Sequence, residues 1–166
     1  DLQCWLQTVP TLFGDSATGM VHGISMGAAA TMMLAGDSLP THVRAFVEDC
    51  GYTSAWDQFS KELKEQFWLP TFPMLHMASA LCQWKYGWTF GEASSLNQVS
   101  KCRRPMLFIH GSDDTFVPTE MVYRLYNAKP APKELWIAPN SRHAAAYRDH
   151  QQEYTARIGA WAERYL

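Results

Sequence analysis

The stretch Gly23-Ile24-Ser25-Met26-Gly27 decides the fold of this chain. It places a serine between two glycines, after an apolar stretch and before a stretch of small helix-forming residues. A serine hydroxyl is a poor nucleophile unless a sharp turn exposes it beside a base, and the two glycines let the backbone make such a turn. A random chain of this composition contains a G-x-S-x-G pattern about 0.04 times. The stretch therefore predicts a strand, a tight turn that carries a reactive serine, and a helix.

On both sides of this turn, short apolar stretches alternate with helical patterns. We predict helices over 2–9, 28–35, 119–127 and 151–165, and strands over 19–24, 43–47, 106–109 and 134–138. Short strands that are apolar on both faces and separated by helices are typical of a parallel sheet covered on both sides. The 166 residues favour one α/β domain over 1–166, with a mostly parallel sheet flanked by helices.

Local signals predict where several of these helices begin and end. The first helix is expected to stop before Pro10, and Gly36 stands where a left-handed C-terminal cap is common. Thr119 is the expected N-cap of its helix. The apolar face of the last helix is expected to consist of Tyr154, Ile158, Trp161 and Leu166.

The segment from about 54 to 102 interrupts the alternation of strands and helices. It is long, helical in pattern and dense in bulky residues, and prolines and glycines divide it into pieces. We interpret it as a helical cap insertion over the carboxyl ends of the strands, where it would line an apolar substrate pocket. The alternative is that this segment only adds to the core.

Charge and composition exclude several classes of protein. The net charge is -2 and the chain has no basic run, which argues against a nucleic-acid partner. No apolar stretch approaches the 18 residues of a membrane span, and no signal peptide is visible. Cys4, Cys50, Cys82 and Cys102 lack zinc-site spacing, and we interpret them as free thiols in a reducing compartment, although the even number leaves disulfides open. A cytoplasmic protein is expected.

Candidate partners for Ser25 lie just after later strands. A serine nucleophile needs a base to take its proton and an acid to orient that base. In a parallel sheet these groups come from loops at the carboxyl ends of the strands. Asp113 and Asp114 follow the strand at 106–109, and His143 follows the strand at 134–138. The residues by themselves leave both aspartates open as the acid.

The chain resembles the α/β-hydrolase superfamily. The resemblance rests on the G-x-S-x-G turn, the phrase His110-Gly111-Ser112-Asp113-Asp114-Thr115-Phe116-Val117-Pro118 and a histidine in the loop before the last helix. It covers essentially the whole chain, in the order nucleophile, acid, base. The resemblance implies Ser25 as nucleophile, Asp114 as acid, because it stands three residues before Val117, and His143 as base. Asp113 is the next candidate for the acid, and Asp49, after the strand at 43–47, is another because some hydrolases of this type draw their acid from there.

The remaining histidines are expected to be structural. His110 ends a strand, His150 begins the last helix, and His22 precedes the turn and is expected to be buried beneath it. His42 and His76 belong to no recognisable pattern.

The resemblance also implies that part of the hydrolase domain has no counterpart in these residues. About 22 residues precede Gly23, which is too few for the first strands of the family and for the loop that carries its second oxyanion donor. The expected arrangement is the C-terminal two thirds of a truncated α/β-hydrolase fold. Loss of one oxyanion donor typically costs about 100- to 1000-fold in rate. The strand before Ser25 would then have an unpaired edge, through which we expect the chain to form a homo-oligomer.

The expected function is that of a carboxylesterase that forms an acyl-enzyme at Ser25, with a small-molecule ester as substrate. The backbone N–H of Met26 is the expected oxyanion donor, and Tyr52 and Phe116 are candidate walls of the substrate pocket. This chemistry requires no metal ion and no organic cofactor. The alternatives are a serine peptidase or amidase of the same superfamily, and a catalytically weak fragment that serves as an interaction module.

Overall fold

The structure of the chain, a computed structural model, describes residues 2–166. The described residues form eight helices and four strands, with at least one helix between successive strands. The helices are α1 (Leu2–Phe13), α2 (Met26–Ala35), α3 (Ala55–Phe67), α4 (Met74–Tyr86), α5 (Ser95–Val99), α6 (Glu120–Ala128), α7 (Ala146–Asp149) and α8 (Gln151–Tyr165). The strands are β1 (Gly19–Ile24), β2 (Val43–Asp49), β3 (Met106–Gly111) and β4 (Lys133–Ala138).

The four strands form one parallel sheet in the order β1-β2-β3-β4. Ile24 pairs with Asp49, and Asp49 with Ile109, so the carboxyl ends of the first three strands reach the same edge of the sheet. β4 ends level with β3, where Gly111 pairs with Ala138. This arrangement confirms the predicted parallel sheet flanked by helices, and it brings the loops that follow the four strands together.

Two apolar layers cover the two faces of the sheet, as the doubly apolar strands predict. Along β2, Phe46 faces the layer formed by α1, α2, α5 and α6, while Ala45 and Val47 face the layer formed by α7 and α8. Leu6, Met32 and Val122 belong to the first layer. Because side chains alternate along a strand, each buried strand contributes to both cores.

The end of α1 differs from the prediction. The helix does not stop before Pro10 but continues to Phe13 with the proline inside it. Proline removes one backbone donor and crowds the preceding turn. The helix tolerates this loss because Leu6 is anchored in the core and the carbonyl of Pro10 still accepts a hydrogen bond from the backbone of Gly14 at 2.8 Å.

Gly36 also departs from the prediction, since it is not a left-handed cap. Its φ is -84°, in the right-handed region. A Cβ at this position would lie 2.6 Å from the backbone oxygen of Gln98. Glycine is therefore needed here for the close approach of the segment around α5, and not for its backbone freedom.

The helix ends at Thr119 and Leu166 also differ from the predictions. Thr119 occupies the N-cap position of α6 in a helical conformation, and its hydroxyl donates to the carbonyl of Gly111 at 2.8 Å and does not cap the helix. The threonine thus ties α6 to the end of β3. Leu166 lies just beyond α8 and is half-exposed, whereas Tyr154 and Trp161 are buried as predicted.

β1 lies at the edge of the sheet. Among residues 2–166 it pairs with β2 along one side, and no other strand lies along its outer side. His22 is exposed, which corrects the expectation that it is buried beneath the turn. The position of β1 explains this exposure because only one sheet neighbour covers the strand.

The segment from 54 to 102 contains three helices that differ in burial. α5 contributes Val99 to the main core and packs against α2. α3 and α4 make no extensive contact with any other helix or strand, and many of their large apolar side chains are exposed. Ser54 caps α3 by accepting a hydrogen bond from the backbone of Asp57 at 3.0 Å.

Within residues 2–166, no helix combines the length and the apolar character that crossing a bilayer requires. The four cysteines have free thiols. Cys50, Cys82 and Cys102 are buried, and Cys4 is exposed on α1.

Candidate active site

Ser25 occupies a strained turn between β1 and α2. Its φ of 56° and ψ of -116° are unusual for a residue with a side chain. The backbone N–H of Ser25 donates to the carbonyl of Asp49 at 2.8 Å, which ties the turn to the end of β2. The strained backbone directs the hydroxyl away from the sheet edge, as a nucleophile turn requires.

The two glycines that flank Ser25 have different roles. A Cβ on Gly23 would lie 2.1 Å from the carbonyl oxygen of Gly27, so no side chain fits there. A Cβ on Gly27 would have no atom within 4 Å. The expectation that both glycines are needed for the turn is therefore correct for Gly23 and wrong for Gly27.

Asp114 lies in the loop between β3 and α6, and its own backbone neighbours hold its carboxylate. Oδ1 accepts hydrogen bonds from the backbone N–H groups of Phe116 at 3.0 Å and Val117 at 2.8 Å. Gly111, at the end of the strand before this loop, approaches Ser141 closely: a Cβ on Gly111 would lie 2.2 Å from the carbonyl of Ser141. Oδ2 remains free to face the loop after β4.

His143 joins Ser25 and Asp114 into one hydrogen-bonded row. Its Nε2 lies 2.7 Å from Oγ of Ser25, and its Nδ1 lies 2.7 Å from Oδ2 of Asp114. With a proton on Nδ1, the imidazole donates to the carboxylate and accepts from the serine hydroxyl. The row links the carboxyl ends of β1, β3 and β4.

The surroundings of Asp114 keep its carboxylate ionised. Burial by itself raises the pKa of this carboxyl, but hydrogen bonds from His110, His143 and the backbone of Val117 outweigh burial and lower the pKa to about 2. His110 is fully buried, and its Nε2 donates to the carbonyl of Val117 at 2.9 Å and lies 3.4 Å from Oδ2 of Asp114.

The two other candidates for the acid lie outside this row. Asp113 is exposed, and its Oδ1 accepts a hydrogen bond from the hydroxyl of Ser112 at 2.7 Å. Asp49 is buried, and its Oδ2 accepts a hydrogen bond from the phenol of Tyr154 at 2.9 Å. Burial raises the pKa of Asp49. Of the three aspartates, only Asp114 contacts His143 through a hydrogen bond.

The remaining histidines lie apart from the hydroxyl of Ser25. His22 Nε2 lies 3.0 Å from the phenol oxygen of Tyr154, and His150 Nε2 donates to the carbonyl of Pro139 at 2.7 Å. His42 precedes β2 at the amino end of the sheet, opposite the row. His76 lies on α4, where it packs against Trp56 and Phe72.

Of the residues expected around the substrate, Phe116 packs against the row. The rings of Phe116 and His143 lie 4.8 Å apart, centre to centre, and Phe116 is half-exposed. Met26 begins α2 with its side chain exposed, and the first N–H groups of a helix have no partner within the helix. Tyr52, two residues after Cys50, is half-buried, and burial raises the pKa of its phenol.

The sequence model of the prolyl oligopeptidase family matches residues 2–166 of the chain. The chain belongs to the prolyl oligopeptidase family. Among curated proteins, the uncharacterized protein YqkD of Bacillus subtilis is 33% identical over 134 residues, which is 81% of this chain and 44% of YqkD. The chain thus spans less than half the length of this relative.

Solved structures show that this family member has an α/β-hydrolase fold, as the resemblance implied. The Pyrococcus furiosus esterase Pf2001 matches with a TM-score of 0.74 at 20% identity, over 99% of this chain and 60% of the esterase. The Pyrococcus horikoshii acylaminoacyl peptidase matches with a TM-score of 0.68 at 16% identity, over 99% of this chain and 26% of the peptidase. The chain corresponds to part of the hydrolase structures that it resembles.

Cys50 also lies near the row, and the sequence analysis did not predict this position. Its sulfur lies within 4.8 Å of possible ligand atoms of Asp114 and His143. The side chain is buried, the backbone is left-handed with a φ of 52°, and burial raises the pKa of the thiol. Thiol, carboxylate and imidazole are all zinc ligands, although the last two here bind each other. The only signal was the position of Cys50 directly after a buried strand.

Proposed function

We propose that this chain is a serine hydrolase that cleaves carboxylic esters through an acyl-enzyme. The single observation that carries the proposal is the row in which His143 contacts Ser25 and Asp114, each at 2.7 Å. Membership of the prolyl oligopeptidase family and the similarity to esterase structures support a hydrolase.

Each member of the row has a role in the proposed reaction. Oγ of Ser25 attacks the carbonyl carbon of the substrate while Nε2 of His143 takes the hydroxyl proton. Asp114 keeps the proton of the neutral imidazole on Nδ1 and stabilises the imidazolium that forms. The imidazolium then protonates the leaving alcohol, and an ester bond to Ser25 remains. Water activated by His143 hydrolyses that ester and restores the serine.

The negative charge on the substrate oxygen needs donors that are in place before the reaction. We assign one donor to the backbone N–H of Met26, at the amino end of α2. The helix terminus adds a favourable potential for an anion at this position. The position of Met26 directly after the strained turn at Ser25 supports this assignment.

We infer that the substrate presents an apolar group to the row. Phe116 supports this inference because its half-exposed ring packs against His143, where an acyl or alcohol group would lie. We propose Tyr52 as a second wall on the side of β2. The exposed side chain of Met26 adds further adaptable apolar surface at the mouth of the site.

A serine peptidase or amidase is the second candidate. The family to which the chain belongs is named after an oligopeptidase, and an acylaminoacyl peptidase is among the similar structures. The same row would serve amide cleavage, since the leaving amine takes its proton from His143. The third candidate is a catalytically weak module, favoured by the partial coverage of the similar hydrolases.

A substrate panel separates these candidates. Aryl acetates, butyrates and octanoates should be hydrolysed faster than aminoacyl and N-acylaminoacyl anilides, and Ser25→Ala should abolish every activity. Ser38→Ala, at an exposed serine distant in sequence from the turn, is the matched control and should leave the rates unchanged. Faster turnover of the anilides would favour the peptidase. Equal slow rates for the wild type and Ser25→Ala would favour the weak module.

A further inference from the structure

Helix α4 has a buried inner face and an exposed outer face that carries larger apolar side chains. Its inner face consists of Leu75, Ser79 and Cys82, and the hydroxyl of Ser79 accepts a hydrogen bond from the backbone of Phe90 at 3.0 Å. The outer face carries Met74, Met77, Leu81 and Trp84, which are all exposed. An exposed apolar surface of this kind is typical of one that packs against a partner. The larger face of α4 therefore lacks a partner among residues 2–166.

The spacing of the outer residues is that of a helix that packs against another helix. Met74, Met77, Leu81 and Trp84 follow one another at intervals of three, four and three residues, and a further step of four reaches Trp88 just beyond the helix. Residues at these alternating intervals line up along one side of a helix, as they do in the interface of a two-helix pair. We call the row formed by Met74, Met77, Leu81 and Trp84 the seam. Ala78 and Ala80 lie beside the seam and allow close approach.

The seam exposes enough apolar area for one side of a specific interface. Met77 is 68% exposed and Trp84 is 83% exposed. With side chains of this size, the four residues offer about 600 Å², which is about what one partner contributes to the smallest specific interfaces and the upper limit of the largest patch on a typical monomer.

The charges around the seam favour a second copy of this chain as the occupant. α4 contains no acidic residue, and its one lysine, Lys85, lies beside its carboxyl end. In an antiparallel pair centred on Ser79, Met77 faces Leu81 of the second copy and Met74 faces Trp84 of the second copy. This register brings no two charges of α4 together, so the face complements itself across a twofold axis.

We propose that two copies of this chain associate through an antiparallel pair of α4 helices, with the exposed seam at its centre. This interface differs from the β1 edge, and it does not depend on the catalytic roles of Ser25, His143 and Asp114. The pairing would cover the apolar residues that the single chain leaves in water.

Analytical ultracentrifugation of the purified chain over a wide concentration range tests the proposal. We expect a monomer–dimer equilibrium in which Leu81→Glu weakens association at least 100-fold. Phe13→Glu changes an equally apolar and exposed residue on α1 and should leave association unchanged. Circular dichroism and thermal unfolding should show that both variants fold like the wild type.

A charge pair tests the register itself. Met77→Lys should weaken the dimer, as Leu81→Glu does, whereas the double variant Met77→Lys/Leu81→Glu should regain most of the affinity. In the proposed register each lysine faces a glutamate of the second copy. Rescue of association in the double variant is therefore expected only if α4 packs against another α4 in this orientation.

Three outcomes would overturn the proposal. A wild-type chain that remains monomeric at high concentration has no such interface. A dimer that Leu81→Glu leaves intact associates elsewhere, the outer edge of β1 included. A monomeric chain that floats with phosphatidylcholine–phosphatidylglycerol vesicles, and loses this binding in Leu81→Glu, uses the seam for a lipid surface.

Discussion

The carboxyl end of the sheet and helix α4 differ in how they use their side chains. At the sheet end, the carboxylate of Asp114 is buried and accepts hydrogen bonds from two backbone N–H groups and from the imidazoles of His110 and His143. On α4, four large apolar side chains face water, whereas Leu75, Ser79 and Cys82 face inward. Hydrogen bonds within the chain hold the first region, whereas the proposed pairing of two α4 helices would cover the second. Substitutions at the sheet end should therefore change activity and stability, and substitutions on α4 should change association.

The largest effect is expected from a pair of histidine substitutions, one in each region. His143→Ala removes the proposed base, and losses of about 10⁵- to 10⁶-fold in kcat are typical of such a group. His76→Ala removes an exposed histidine of α4 and should leave kcat within about twofold of the wild type. The rates of aryl ester hydrolysis provide the test. Similar losses in the two variants would contradict the proposed difference between the regions.

The next effect concerns the choice of acid at the sheet end. Asp114→Asn should lower kcat by about 10⁴-fold, because an asparagine no longer holds the imidazole in the reactive tautomer. Asp113→Asn, at the exposed neighbour, should change kcat by less than about threefold. Steady-state kinetics on one ester measure both. Small and equal effects of the two substitutions would favour Asp49 as the acid, in place of its present hydrogen bond with Tyr154.

The packing at the sheet end predicts a difference in stability between the two glycines. Gly23→Ala places a Cβ against the carbonyl of Gly27 and should destabilise the chain by about 1–3 kcal/mol or more. Gly27→Ala adds a methyl group in open space within α2 and should be neutral or stabilising by up to about 1 kcal/mol. Chemical unfolding measures both. Equal destabilisation would show that the turn needs both glycines.

The smallest expected effect is a pH dependence of stability that arises from Asp114. Its folded-state pKa of about 2 lies below the usual value, so the charged carboxylate stabilises the folded chain. This contribution is about 2 kcal/mol, is fully present above about pH 5 and is lost as the pH falls from about 4 through 2. The free energy of unfolding of Asp114→Asn should therefore approach that of the wild type over this range. Parallel pH profiles would contradict the assignment.

The sequence predicted the sheet well because its strands carry strong local signals. β1 and α8 have the predicted bounds, and β2, β3 and β4 extend the predictions by one or two residues. The positions of Ser25, Asp114 and His143 shortly after three strands were sufficient to place them at one edge, since all the strands are parallel. The choice of Asp114 over Asp113 came from the resemblance, and hydrogen bonding in the structure now supports it.

What the sequence did not predict depends on contacts between distant segments. Gly36 follows a helix, as a left-handed cap does, but the approach of Gln98 explains it. Pro10 is a local signal for a helix end, which the burial of Leu6 overrides. The exposure of His22 depends on its strand lying at the edge of the sheet, and the position of Cys50 beside His143 depends on two loops that meet only in the fold.

The central claim is that folding makes the hydroxyl of Ser25 a nucleophile, and a fluorophosphonate probe tests it most directly. After reaction with the wild-type chain, peptide mass mapping should place one phosphonyl group on Ser25. His143→Ala should suppress this labelling, and His76→Ala should retain it. A folded wild-type chain that gains no phosphonyl group, or gains it at another residue, would contradict the account.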